Sequence, residues 1–278
     1  MINKYPGRCG GCRRDVPAGA GQAVKEAGRW VIYHDECRPV RVAPPAGTHP
    51  GWHDGPLVAF DIEATRAEPL DARIISAALV PTDGTTRTWL VNPGVPIPPD
   101  ATAINGFTDD VVRRDGLPAA AAIADIGVAV AKYIADGVPL VAFRASYDVT
   151  VLHTELARHG LPAIDWTQAV IIDPFILHKQ VERDWFDKRT LGVLADYYRV
   201  RLDNAHDAAS DAQATLDLAR AIAARHQRIA QTPLAALHED QIRWYAEDSR
   251  NLQRYYDDRG IDKIVNDEWP LETLKRGH

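Results

Sequence analysis

The sequence predicts an α/β fold with a mixed β-sheet, and two observations support this prediction. Three apolar segments separated by turn residues come first, and helical and short apolar segments alternate after them. This order is typical of a layered domain whose sheet has antiparallel and parallel strand pairs. A third observation concerns the N-terminus, where all three cysteines precede a stretch rich in proline and glycine. We therefore expect a separate small module before the α/β domain.

The predicted strands are apolar and are bounded by turn residues. They lie at 57–62, 73–80 and 86–91, followed by short buried strands at 140–143 and 170–172. The predicted helices end at glycine or follow capping residues. They lie at 118–135, 147–159, 190–198 and 208–226, the last with Asp207 as its predicted cap.

A further helix is predicted in the tail, with Thr232 at the N-cap, Pro233 at N1 and an end near Gly260. These elements divide the chain into a module at 1–42, a linker at 43–56, a main domain at 57–228 and a C-terminal helical extension at 229–278.

Composition excludes several classes of protein. The 278 residues are 46% hydrophobic and 25% charged, with a formal net charge of −6, which excludes disordered, collagen-like and globally basic proteins. No apolar run is long enough for a transmembrane helix, so no membrane partner is expected, and the N-terminus has no apolar core typical of a secretory signal. Three cysteines argue against a disulfide framework, so a cytoplasmic location is predicted.

Acidic residues mark a candidate catalytic site. Asp61 and Glu63 are two residues apart in an apolar strand, so both side chains lie on one face. Two charges on such a face are costly unless a cation neutralises them, and oxygen ligands favour magnesium or manganese. Asp148 and Asp211 each lie in the first turn of a predicted helix, where acids are also common as dipole partners. His206, just before the second of these helices, is a candidate general base.

Four stretches in this order resemble the DEDDh family of 3′–5′ exonucleases, which includes the proofreading subunit of bacterial DNA polymerase III. They are FDIEAT at 60–65, ATAINGFTDDVV at 101–112, FRASYDVTVL at 143–152 and HDAASDAQAT at 206–215. The segments IIDPFILHKQ and KRTLGVLADYYRV look like actinobacterial or actinobacteriophage members. The resemblance covers about residues 57–226.

The resemblance implies an RNase H-like fold with a five-stranded mixed sheet flanked by helices. It implies that Asp61, Glu63, Asp148 and Asp211 hold two Mg²⁺ or Mn²⁺ ions, and that His206 deprotonates the attacking water. The expected product is a nucleoside 5′-monophosphate released from a 3′ end.

Substrate contacts are also implied by the resemblance. Ile104, Asn105 and Phe107 belong to the substrate-side loop, and Phe60 and Tyr147 are further candidate walls for the terminal base. Two positions depart from the family pattern. Ala64 stands where Thr is usual, with Thr65 as a nearby hydroxyl. Arg144 stands where Asn is usual, and there it is expected either to contact substrate phosphate or to pair with Asp148.

The cysteines form a second constellation. Cys9 and Cys12 are followed by His34 and Cys37, a Cys3His spacing typical of structural zinc. The segment from Trp30 to Tyr33 between the pairs is predicted as a strand. The role of this module stays open between a nucleic-acid-binding face and a structural or protein-docking one. The basic residues in question are Arg8, Arg13, Arg14, Lys25, Arg29, Arg38 and Arg41.

The leading hypothesis is a metal-dependent 3′–5′ exonuclease acting on single-stranded DNA or DNA 3′ ends. An RNA exonuclease of the same family is the nearest alternative, because no residue announces contact with a 2′-hydroxyl. A second alternative is a catalytically idle nucleic-acid-binding protein that uses the zinc module. A polymerase or replication partner is a further hypothesis.

Overall fold

The computed structural model describes residues 1–272 apart from Ala27, Val40 and Phe186. The strands are β1 (Gly7–Arg8), β2 (Asp15–Val16), β3 (Gln22–Glu26), β4 (Arg29–Tyr33), β5 (Val58–Ala64), β6 (Ile74–Pro81), β7 (Arg87–Asn92), β8 (Leu117–Pro118), β9 (Leu140–Val141) and β10 (Ile171–Ile172). The α-helices are α1 (Pro99–Asn105), α2 (Asp109–Asp115), α3 (Ala119–Ala135), α4 (Ser146–Arg158), α5 (Pro174–Val181), α6 (Leu191–Tyr198), α7 (Ala208–Arg225), α8 (Gln227–Gln231) and α9 (Leu234–Asp257). Short 3-10 turns lie at Asp35–Cys37, Trp52–Asp54 and Trp166–Gln168.

The central sheet is mixed, as predicted, with strand order β10-β9-β5-β6-β7-β8. Strands β5, β6 and β7 pair antiparallel, whereas β9, β10 and β8 join by parallel pairing. The sheet has six strands and not the expected five. The additional strand, β8, consists of two exposed residues, so no buried apolar run marks it.

Alternate residues of β5 face two different helical layers. Val58, Phe60 and Ile62 belong to the core that packs against α3 and α4. Leu57 and Ala59 belong to the core that includes residues of α6 and α7. Because side chains alternate along a strand, Asp61 and Glu63 lie on the face covered by α7.

Four helices were not predicted: α1, α2, α5 and the short helix α8. Helices α1 and α2 occupy the segment expected to be a substrate-side loop. Thr108 caps α2, since its hydroxyl accepts from Val111 N at 3.4 Å. Asp173 caps α5, with Pro174 at N1.

Of the two predicted N-caps of the later helices, one is confirmed and one is wrong. Asp207 caps α7 as expected, accepting from Ser210 N at 3.1 Å. Thr232 does not cap α9, because its hydroxyl donates instead to Arg228 O at 2.7 Å and Pro233 takes the N-cap position. Residues 273–278 of the predicted extension lie outside the described residues.

The N-terminal segment forms two antiparallel pairs, β1–β2 and β3–β4. Its small core consists of Cys9, Val16, Val24 and Tyr33. Strand β4 ends at Tyr33, which confirms the predicted strand before His34. The segment predicted as a linker packs on the main domain. His49 Nε2 lies 3.0 Å from Ala223 O of α7, and Trp52 Nε1 donates to Ile229 O at the start of the extension at 2.8 Å.

In the part of the chain that the structure describes, no helix combines the length and the apolar character needed to cross a bilayer.

Candidate active site

Two acids of the site come from the end of the central strand β5. Asp61 pairs in register with Ala78 of β6, and Glu63 pairs with Ser76. The register shifts between Glu63 and Ala64, so the strand bends directly after the second acid. Both carboxylates therefore lie at the rim of the sheet on the α7 side.

A third acid, Asp148, comes from the first turn of α4 and is only 4% exposed. Its Oδ1 accepts from the backbone N of Ile62 at 3.1 Å. This hydrogen bond ties α4 to the β5 segment between Asp61 and Glu63.

The fourth acid, Asp211, lies in the first turn of α7 beside His206. His206 has a left-handed backbone with φ of 70°, and its N donates to Asp211 Oδ2 at 3.2 Å. Asp211 Oδ1 is buried without a hydrogen-bond partner. Ligand atoms of Glu63, His206 and Asp211 all lie within 4.8 Å of one another. Asp61 and Asp148 lie outside this tight group but are coupled to it electrostatically.

The carboxylates raise one another's pKa. Burial raises the pKa of Asp61 well above its usual range, and the charges of Asp148, Asp211 and Glu63 raise it further. Burial likewise raises the pKa of Asp148 well above its usual range. Burial, followed by the charges of Asp211 and Asp207, raises the pKa of Glu63 to about 7. Such a cluster needs protons or cations to neutralise it.

The donor set fits hard divalent cations. Carboxylate oxygens are the preferred ligands of Mg²⁺ and Mn²⁺, and the unpartnered buried oxygen of Asp211 is a free ligand atom.

The predicted substrate-side residues serve different roles in the structure. Ile104, at the end of α1, is 60% exposed and therefore available to a ligand. Asn105 Oδ1 accepts from Phe107 N at 3.1 Å, and the Phe107 ring packs on a small core that includes Ile75 and Ile97. Asn105 and Phe107 thus shape the turn between α1 and α2.

Two candidate walls for the terminal base behave differently. Phe60 is 1% exposed and lies in the main core, so the expectation that it contacts the base is wrong. Because neighbouring side chains of a strand face opposite sides of the sheet, the Phe60 ring and the Asp61 carboxylate lie on opposite faces. Tyr147 is half-buried, and its hydroxyl donates to Arg66 O.

The two departures from the family pattern are also placed. Thr65 is buried, and its hydroxyl accepts from Arg73 N at 3.0 Å, so it is used inside the protein. The Arg144 guanidinium stacks over the Phe175 ring, 4.3 Å from its centroid. Among the ion pairs of the described residues, none joins Arg144 to Asp148.

Asp173 was missed by the sequence analysis. It is 1% exposed, and its carboxylate accepts from Arg144 N at 3.1 Å, Ala145 N at 3.0 Å and Phe175 N at 2.9 Å. Its own N donates to the buried Gln241 Oε1 of α9 at 2.7 Å. The Asp-Pro pair that opens α5 was the available sequence sign of a cap.

The cysteine constellation comes together in the N-terminal module. Ligand atoms of Cys9, Cys12, His34 and Cys37 all lie within 4.8 Å of one another. Cys12 Sγ is 3.3 Å from His34 Nδ1, whereas His34 Nε2 is 3.2 Å from Asp15 O. With Nε2 hydrogen-bonded to a carbonyl, Nδ1 is left as the nitrogen that faces the sulfurs.

The thiol pKa values within this cluster diverge. Burial raises the pKa of Cys9, but hydrogen bonds from the backbone of Cys12, His34 and Gly11 outweigh burial and lower it to about 6. The hydrogen bond to Cys12, followed by burial, raises the pKa of Cys37 to about 11. The lowered pKa of Cys9 favours its thiolate, which is the form of cysteine that binds zinc.

Comparisons with known proteins agree with this fold. A family model described as exonuclease, of the RNase T type, matches residues 58–219. The PolC-type DNA polymerase III of Caldanaerobacter subterraneus subsp. tengcongensis is 28% identical over 207 residues, which are 72% of this chain and 14% of that protein. The corresponding protein of Streptococcus sanguinis is 28% identical over 204 residues, 70% of this chain and 13% of that protein.

Solved structures of E. coli exonuclease I are similar in fold. The complex with a dA16 oligonucleotide has a TM-score of 0.53 and 20% identity, covering 69% of this chain and 44% of that one. The zinc-bound complex with single-stranded DNA has a TM-score of 0.55 and 19% identity, covering 72% and 45%. At these identities the likeness shows the fold alone.

The mixed sheet with an acidic cluster at its rim is therefore the framework of a nuclease, an enzyme that hydrolyses phosphodiester bonds. The matched segment covers more than half of the chain, and the chain belongs to the exonuclease family. The predicted enzyme class and α/β fold are confirmed. The chain spans only about a seventh of the length of the curated relatives it matches.

Proposed function

We propose that this chain is a two-metal-ion 3′–5′ exonuclease that releases nucleoside 5′-monophosphates from the 3′ end of DNA. The observation that carries this proposal is the convergence of acids from three elements. Asp61 and Glu63 of β5, Asp148 of α4 and Asp211 of α7 share one electrostatic cluster, and His206 lies beside it.

Each residue has a role in this proposal. The four carboxylates would hold two divalent cations, which would supply stabilisation for the negative charge that develops during phosphodiester hydrolysis. His206 is exposed at the edge of the cluster, and the bond from its backbone to Asp211 fixes its loop. It accepts the proton of the attacking water.

Substrate contacts follow from exposure. Ile104 offers an apolar surface to the terminal base, and Asn105 and Phe107 hold the turn that presents it. The Arg144 guanidinium, stacked on Phe175 at the start of α4, is the proposed contact for a substrate phosphate.

Single-stranded DNA is the favoured substrate. The relatives are named as DNA polymerases, and the similar structures hold DNA oligonucleotides. A polymerase or replication partner, a cytoplasmic location and an actinobacterial or phage type stay predictions.

The decisive experiment follows cleavage of a 5′-labelled single strand of DNA and of the matching RNA. We expect a ladder that shortens from the 3′ end with Mg²⁺ or Mn²⁺ and disappears with EDTA. The substitution His206→Ala is expected to slow cleavage about 100- to 10,000-fold, the usual contribution of a general base. Faster cleavage of RNA would reverse the substrate assignment. Binding without cleavage of either strand would indicate an idle nucleic-acid-binding protein.

We further propose that Cys9, Cys12, His34 and Cys37 bind one structural zinc ion. The support is a preformed Cys3His set on a module whose core, among its described residues, consists of four buried apolar side chains. A core of this size gives little folding free energy, so the metal supplies much of it.

Metal analysis tests this zinc site. We expect one zinc ion per purified chain, lost in His34→Asn and retained in His49→Asn, a control histidine that bonds Ala223 O outside the cluster. In the zinc-free variant, limited proteolysis is expected to cut within residues 1–42 while the main domain stays resistant. Equal zinc content in both variants would contradict the assignment.

A further inference from the structure

A cleft of about 770 Å³ begins directly after the strand that carries Glu63. One wall begins at Thr65 and Arg66, which directly follow the strand that carries Glu63. The opposite wall, residues 95–99, leads directly into α1, which presents Ile104. The two walls of the cleft are therefore continuous in sequence with the segments that carry Glu63 and Ile104.

Two arginines that line the cleft share one buried carboxylate. Glu155 has a fully buried side chain, and its Oε1 accepts from Arg73 Nε at 2.8 Å and from Arg158 Nη1. This arrangement fixes two guanidinium groups against one carboxylate. Both arginines line the cleft, together with Arg66 and Asp71. Three cations stand against two anions, so the cleft carries a net positive charge.

Arg66 is placed to use that charge. It is exposed, and its carbonyl oxygen accepts from the Tyr147 hydroxyl, which ties its loop to the residue next to Asp148. Among the described residues, its guanidinium forms no ion pair. Among these residues, no carboxylate therefore competes with a ligand for the N–H donors of Arg66.

We propose that this cleft binds a phosphate of the substrate strand on the 5′ side of the scissile bond, with Arg66 as the contacting group. The inference rests on the proposed function. If the 3′ end of a DNA strand lies in the acidic site, the nucleotides on its 5′ side must lie outside that site. Arg66 is three positions after Glu63, so the Cα atoms of the two residues are at most about 11 Å apart. A short oligonucleotide covers this distance. A free mononucleotide offers the same phosphate chemistry, and the experiment separates the two sources.

The test compares Arg66→Ala with Arg228→Ala, which removes the same charge from an exposed position on α8. For a dodecanucleotide, we expect Arg66→Ala to raise KM about five- to tenfold with kcat unchanged, as for loss of one exposed charged hydrogen bond. A plot of log Kd against log salt is expected to lose about 0.7 of slope, one phosphate contact on a single strand. The substitution Arg66→Lys is expected to restore the slope. Thermal unfolding of each variant confirms that it is folded.

A dinucleoside monophosphate separates this cleft from the cleavage site, because its only phosphate is the scissile one. We expect Arg66→Ala to leave kcat/KM for that substrate unchanged. An equal loss on it, or weakened inhibition by thymidine 5′-monophosphate, would place Arg66 at the terminal nucleotide and overturn the inference. Equal effects of Arg66→Ala and Arg228→Ala would also overturn it. Binding that depends on Arg66 without any cleavage would instead refute the proposed function and leave the cleft assignment standing.

Discussion

We expect the substitution Asp61→Asn to reduce strand cleavage at least ~1000-fold, because a bound divalent cation contributes several kcal/mol to the transition state. Asn keeps the shape of the side chain but removes the charge. Asp61 is coupled to all three other acids of the cluster, so its loss weakens the whole proposed ion site. The rate of nucleotide release with saturating Mg²⁺ measures the effect.

The same substitution is expected to stabilise the metal-free protein. Burial and three neighbouring carboxylates disfavour the charge of Asp61 in the fold, so removing that charge relieves repulsion. In EDTA, the melting temperature of Asp61→Asn is expected to exceed that of the wild type. The stabilisation by added Mn²⁺ is expected to shrink. Asp217→Asn, on the same helix as Asp211 but bonded to Gln213, is the control. A metal-free Asp61→Asn protein less stable than the wild type would contradict this account.

The stability of the metal-free wild type is also expected to depend on pH. The folded pKa of Glu63 is about 7, above its ordinary value of 4.5. The folded state therefore holds a proton that the unfolded chain has already released. The associated stability is fully present below pH 4.5 and is lost as the pH rises toward 7. Saturating Mn²⁺ is expected to flatten this dependence in a series of melts.

The sequence predicted the strands and long helices because their patterns are local. The apolar run of β5 and the N-cap residue Asp207 can each be recognised from a few neighbouring residues. The short helices α1, α2 and α5 have no such local signal. Two of them begin at proline, and all three are too short for a full apolar stripe. Strand β8 is defined only by its pairing with β7.

The candidate site was predictable where its residues lie in motifs. The contacts that position those residues were not, because they join distant parts of the chain. Asp173 contacts Arg144 across 29 residues, and Gln241 contacts Asp173 across 68. Similarly, nothing near Arg66 in sequence indicates that Arg158 lines the same cleft.

We expect Asp173→Asn to lower both stability and cleavage. The carboxylate receives backbone N–H groups from Arg144 and Ala145, the two residues that lead into α4 and Asp148. It also holds Arg144 in a left-handed conformation, with φ of 62°. Asn replaces one acceptor by an NH₂ donor that faces a backbone N–H. Loss of a buried charged hydrogen bond costs about 2 to 3 kcal/mol in the free energy of unfolding.

Cleavage falls in this variant because the loop positions a ligand carboxylate. A displacement of about 1 Å at a reacting group costs roughly 100-fold in rate, so we expect kcat to fall about 10- to 100-fold at a temperature where the variant stays folded. Asp165→Asn is the matched control. Asp165 also caps a short helical turn, accepting from Thr167 N, but it is exposed and its hydrogen bonds stay within residues 165–168. It is expected to leave kcat unchanged. An Asp173→Asn protein with reduced stability but full kcat would show that Asp173 supports the fold without positioning Asp148.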